Sequence, residues 1–326
     1  MNYIPSRVLA ALLIVVACAG AFAQSWPTRP IRIIVAAPAG SSLDFIVRPL
    51  GEKLKDALGQ AVVVENRPGA GGTLATELVA KSAPDGYTML MSFNGPLAFA
   101  PVLYTKLPYD PAKDLAPVII TTVQPNMLAV ASDLPVGSVK DLIAWMKARP
   151  GKLNYASVGN GSSSHLTMEY LKLLTSTYAL HIPFNGAPPA VLSVVGGDTQ
   201  ALFTVPTVIM PQVKAGKMKA LAVTGKTRYA LLPELPTVAE SGVKELANFE
   251  AIAWNGILMP AGTPPTIVAR VNAEINKAFA DPAMRQRLTA GGLEPAGGSP
   301  EDFAKLMADE AKKWAPIIKR TGARLD

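Results

Sequence analysis

The 326-residue chain has one cysteine, two histidines and a charged fraction of only 17%, and each scarcity removes a class of function. A single cysteine cannot form a disulfide within the chain, so no disulfide framework holds the fold. Nor can it build a CxxC-type zinc site. The formal net charge is +7, but Lys and Arg are scattered singly. Nucleic-acid binding by counterion release needs a clustered basic face, and none is legible. Past the first two dozen residues no apolar run is long enough to span a bilayer. Neither a Walker pattern nor a dinucleotide fingerprint occurs, so the Gly-rich loops are not assigned to nucleotide phosphate. No G-x-S-x-G elbow is present. The histidines are His165 and His181. Ser162 and His165 lie three apart, at a helix cap and in the first turn, which favours capping over base–nucleophile alignment. A Ser-His hydrolase is therefore the weakest reading. Apolar residues, by contrast, make up 49% of the chain, which excludes disorder. The length points to two domains or one large one.

The N-terminus carries an export pattern. Arg7 supplies a positive start, Val8 to Ala19 an apolar run too short for a bilayer, and Ala21-Phe22-Ala23 a small-residue cleavage site. The expectation is a signal peptide over residues 1–23 and a mature chain from Gln24. Val15-Val16-Ala17-Cys18 loosely resembles a lipoprotein box, so a lipid-anchored Cys18 is the alternative.

The mature chain alternates strands and helices. Ile31 to Ala37 predicts a buried strand, followed by the turn Pro38-Ala39-Gly40-Ser41-Ser42 and a helix through Leu58. Ile46, Leu50, Leu54 and Leu58 form one helical face, and Ser41 or Ser42 is the expected N-cap. Pro49 predicts a kink. Further strands are expected at 61–65, 87–93, 118–123, 127–131, 153–157, 180–184, 200–205, 219–224 and 254–259, with helices between. Toward the C-terminus, Thr263-Pro264 and Ser299-Pro300 each read as a cap before a proline at the first helical position. The alternation implies parallel sheets with helices on both faces.

Two strand-to-helix loops share one design. Pro38–Ser42 and Gly159–Ser163 both follow a buried strand, are rich in Gly and Ser, and open a helix. Each presents free N–H groups at the positive end of a helix dipole, a ready anion site. Facing each other across a cleft, the two would clamp one anion. The alternative is that Gly and Ser only make turns and caps.

Blocks spread along the chain resemble the Bug (TctC) family of periplasmic solute receptors of tripartite tricarboxylate transporters. They are Trp26-Pro27-x-Arg29-Pro30-Ile31, Glu65-Asn66-Arg67-Pro68-Gly69-Ala70-Gly71-Gly72, Ala83-Pro84-Asp85-Gly86-Tyr87, Leu107-Pro108-Tyr109-Asp110, Gly151 to Ala156, Gly159 to His165, Leu235 to Glu240 and Pro260 to Pro264. The resemblance implies an α/β, two-domain periplasmic-binding-protein (Venus-flytrap) fold, each domain a mainly parallel sheet flanked by helices. Domain I would be residues 24–124 plus 251–326, and domain II residues 125–250. It implies a periplasmic receptor for a small carboxylate, with no cofactor or metal, acting as a monomer and presenting its ligand to a two-component membrane transporter. A transporter-independent sensor is the alternative. The ligand-binding positions it implies are Ala39, Gly40, Ser41, Ser42, Asp44, Thr73, Asn94, Gly159, Asn160, Gly161, Ser162, Ser163 and Thr204. Ala37 stands where the family often has Phe, which should enlarge the pocket. Thr204, Asn185 and Asn255 stand where relatives often carry Asp, Lys and an aromatic. These departures point away from citrate, toward a smaller or partly apolar carboxylate.

Overall fold

The computed structural model describes residues 26–325, so the export pattern, Cys18 and the cleavage site after Ala23 lie outside the described residues. Two sheets carry the fold. The six-stranded sheet has the order β11-β4-β10-β3-β1-β2, with β1 at Ile31–Val35, β2 at Val62–Asn66, β3 at Thr88–Phe93, β4 at Leu115–Pro125, β10 at Ile252–Pro260 and β11 at Pro295–Gly297. The five-stranded sheet has the order β7-β6-β8-β5-β9, with β5 at Met127–Ala131, β6 at Asn154–Ser157, β7 at Leu180–Pro183, β8 at Ala201–Thr204 and β9 at Met218–Val223.

Both sheets are mixed. The parallel pairs are β1 with β2 and β3, and β6 with β7 and β8. These are the βαβ units that the alternating pattern foretold, because a parallel pair needs a crossover element. The remaining pairs are antiparallel. They involve the strands by which the chain passes between the sheets: β4 runs into β5 across Asn126, and the chain returns to β10 after Thr224. The crossing is tied by short-range bonds. The backbone N–H of Asn126 donates to Thr224 Oγ1 at 2.8 Å, Thr224 N donates to Asn126 O at 2.9 Å, and Ala251 N to Thr224 O at 3.0 Å.

Helices form where capping and periodicity coincide. Helix Ser42–Leu58 buries Ile46, Leu50, Leu54 and Leu58, is capped by Ser41 accepting from Asp44 N, and continues through Pro49. Helix Ser163–Thr175 is capped by Ser162 accepting from His165 N. Ser299 makes a full capping box with Asp302 ahead of helix Pro300–Thr321. Thr263 departs from expectation. Helix Pro265–Ala280 starts one residue later than read, Pro264 holds the cap position without a side-chain bond, and Thr263 Oγ1 instead donates to Pro260 O at 2.7 Å. A hydroxyl so close to a preceding carbonyl closes a local turn rather than a helix end.

Candidate functional site

The first residues of helices Ser42–Leu58 and Ser163–Thr175 meet at one cavity. It is lined from the first sheet's side by Ala36, Ala37, Ser41, Ser42, Leu43, Phe93, Asn94, Ala253 and Asn255, and from the second's by Val158, Ser163, Ser164, Asn185, Gly186, Thr204 and Val205, with Asn126 at the crossing. Its volume is about 70 Å³. Among the described residues, none that lines it carries a charge.

What the walls offer follows from helix geometry. The first N–H groups of a helix have no intrahelical acceptor. The caps use those of Asp44 and His165. The backbone N–H groups of Ser42 and Leu43, and of Ser163 and Ser164, have no such acceptor, and all four residues line the cavity. Two positive dipole ends and four amides without intrahelical acceptors thus border one small uncharged space, an arrangement that attracts an anion without a cationic side chain. Side-chain amides complete it. Asn126 Nδ2 donates to Ser163 Oγ at 2.7 Å, Asn255 Nδ2 to Thr122 Oγ1 at 2.9 Å, and Asn94 Nδ2 to Ile252 O at 3.1 Å.

Of the sequence-derived positions, the structure brings Ser41, Ser42, Asn94, Ser163 and Thr204 to the cavity. It does not bring Ala39, Gly40, Asp44, Thr73, Gly159, Asn160, Gly161 or Ser162 to its wall, and several of these are occupied elsewhere. The Ser162 hydroxyl is fully buried, donates to Gly159 O at 2.6 Å and accepts from His165 N. Thr73 Oγ1 donates to Ala70 O at 2.9 Å. Asp44 accepts from Gly40 N at 3.1 Å and pairs with Arg48 at 2.9 Å. Burial works against its ionisation, but the bonds from Arg48, Gly40 and Asn66 outweigh that and hold its carboxyl below the usual range. Gly40 and Asp44 line a separate outer groove. The reading missed Leu43, Phe93, Asn126 and Ser164. Asn126 falls in the gap 124–126 between two expected strands, and nothing there singled it out. Phe93 ends a predicted strand, and nothing in its pattern marked it.

The glycines bring the lobes together. A Cβ built on Gly71 would lie 2.1 Å from Asn160 O, one on Gly186 2.3 Å from Pro38 Cγ, and one on Gly159 3.2 Å from Gly71 Cα. Beneath the second loop lies a ring column. His165 stacks on His181 with centroids 4.0 Å apart, and His181 on Tyr155 at 4.8 Å. His165 Nδ1 accepts from Gly161 N at 3.2 Å, and His181 Nε2 meets Ser157 Oγ at 2.6 Å. Burial, then Lys172, pushes His165 down to about 4, and burial, then His165, pushes His181 down to about 3. Both rings are neutral supports of the loop. With its Nδ1 taken by a backbone amide and the Ser162 hydroxyl committed to Gly159, His165 is not aligned as a base for Ser162.

Residues 46–323 match the sequence model of the family described as "Tripartite tricarboxylate transporter family receptor". Protein BugT of Bordetella pertussis is 38% identical over 325 residues, covering 98% of this chain and 99% of BugT. The solved R. palustris Rpa4515 with adipate superposes with a TM-score of 0.88 at 34% identity, covering 92% of this chain and all of that one. MatC from Rhodopseudomonas palustris with bound malate gives a TM-score of 0.85 at 31% identity, covering 90% of this chain and all of MatC.

Proposed function

The chain belongs to the tripartite tricarboxylate transporter receptor family, and from that premise we propose that it is a periplasmic receptor for a small carboxylate, closing two lobes around the ligand. The reading divides the chain at about residues 124 and 251. One carboxylate is held by the amides of Ser42 and Leu43 from one lobe and of Ser163 and Ser164 from the other, with the hydroxyls of Ser41, Ser42 and Ser163 beside it. The observation that carries it is the convergence of two helix N-termini on one uncharged cavity. Adipate and malate in two structural relatives support the ligand class.

Size and lining narrow the ligand. Drug-sized pockets run to roughly 300–1,000 Å³, and this cavity is about 70 Å³, so the ligand is an acid of a few carbons. Ala36, Ala37, Leu43, Phe93, Val158 and Val205 give apolar walls for its carbon chain. The closed form, in which both half-sites meet, is the form a two-component membrane transporter would recognise. Because each lobe supplies half the site, ligand binding shifts an open–closed equilibrium.

A thermal-shift screen with C3 to C6 mono- and dicarboxylates tests the reading. A ligand at 100 times its Kd stabilises by about 2.7 kcal/mol, a shift of several degrees. No shift with any acid at millimolar concentration would overturn it.

A further inference from the structure

Gln124 stands at the end of β4, two residues before Asn126. The residue is 2% exposed, and neither its amide oxygen nor its amide nitrogen has a hydrogen-bond partner among the described residues. Strand register fixes the side on which it leaves the sheet. Val123 pairs with Trp254, and both pack into the core that holds Phe303. Successive strand side chains alternate between faces. Gln124 and its cross-strand partner Ala253 therefore leave by the opposite face, where Ala253 and Asn255 line the cavity and Gln124 stands beside them without reaching its wall.

A primary amide has two donors and an acceptor with two lone pairs. Leaving these unmade in the interior costs more than an apolar side chain of the same shape would. A position serving only to fill space would be better served by Met or Leu. The neighbouring amides of Asn94, Asn126 and Asn255 each have a protein partner. Gln124 is the buried side-chain amide left without a partner among the described residues, and it sits on the strand crossing.

We propose that Gln124 is the specificity-determining residue for the end of the ligand opposite to the carboxylate that the amides hold. Its amide selects acids bearing a second oxygen-containing group over those ending in a methyl group. This rests on the carboxylate-receptor reading above. Without a polar partner at that end, the buried amide stays unpaired in the complex, so a methyl-ended acid is rejected.

The test is calorimetric titration of the full-length protein, Gln124→Met and Gln124→Ala with two matched pairs, succinate against butyrate and adipate against hexanoate. The wild type should prefer at least one diacid over its methyl-ended partner by about tenfold or more. In Gln124→Met that ratio should fall to within about threefold, the monoacid affinity should change little, and the melting midpoint should stay level or rise because an orphaned amide is gone. An unchanged ratio in both variants overturns the proposal while leaving the receptor reading standing, as does equal wild-type affinity within each pair. A ratio lost only together with a lower melting midpoint in both variants assigns Gln124 a structural role and also overturns it. Binding of neither pair by the wild type removes the receptor reading and this inference with it.

Discussion

Ser162 and Asp44 show what a residue's type can and cannot announce. A serine three positions before a helical His is both a cap and a hydroxyl for a ligand, and sequence does not rank the two uses. In the fold, Ser162 donates to Gly159 O and accepts from His165 N, so its hydroxyl is committed. Ser162→Ala should lower folding stability by about 1 kcal/mol, the typical cost of losing a helix cap. Ligand affinity should change by less than about threefold. Urea denaturation and calorimetry on the same preparation decide it: intact stability with abolished binding would return the hydroxyl to the site. Asp44 is likewise committed, to Arg48 and Gly40. Ser41, Ser42 and Ser163 were legible as cavity residues because they are the cap and opening turns of helices that follow buried strands. The burial of Gln124 was not legible, because the expected strand stopped at Val123 and a lone glutamine after it has no local signature.

At the scale of elements, the second loop depends on the column under it. His181 pairs with Ser157, His165 with Gly161 N, and Glu169 and Lys172 lie alongside, with Lys172 bonded to Glu169 at 2.6 Å. Both histidines are held below the ordinary value near 6.5. The unfolded chain therefore binds more protons than the native one between about pH 6.5 and 4. Their contribution to stability is complete above pH 6.5 and is lost as pH falls toward 4. The slope should approach about 1.4 kcal/mol per pH unit for each histidine. Urea midpoints from pH 7.5 to 4.5 check this. In His181→Phe, which keeps the stack, the slope should be roughly halved, and an unaltered slope would mean that the carboxylates carry the acid sensitivity. Element types and order were legible along most of the chain from two- and four-residue periodicity. Sheet direction was less so, since a strand's pattern reports burial and not the direction of its neighbour.

Across the whole molecule, the two lobes meet backbone to backbone. Gly71 has φ +62°, and its Cα faces the second lobe so closely that a Cβ would meet Asn160 O at 2.1 Å. Gly71→Ala should fold, at a cost of about 1–2 kcal/mol for the left-handed conformation. It should also keep the lobes apart, weakening carboxylate binding by about tenfold or more, because a ligand's affinity falls with the population of the competent form. Small-angle scattering of the ligand-saturated variant should give a larger radius of gyration than the saturated wild type. Unchanged affinity and radius would show that the closed contact contributes nothing to binding.

The amino-acid sequence by itself determined the alternation of strands and helices, the serine caps, the two Gly/Ser loops and the family, since each is written in local spacing or in contiguous blocks of residues. Only the tertiary structure decided which amides share a cavity, that Ser162 and Asp44 look inward to their own loops, and that Gln124 stands buried on the cavity's side of the sheet. Ser162 and Asp44 are held by partners three or four positions away, a use that sequence does not rank against ligand contact, while the shared cavity and the burial of Gln124 depend on residues more than a hundred positions apart meeting across strand register and lobe contact. No periodicity within one segment encodes such a meeting.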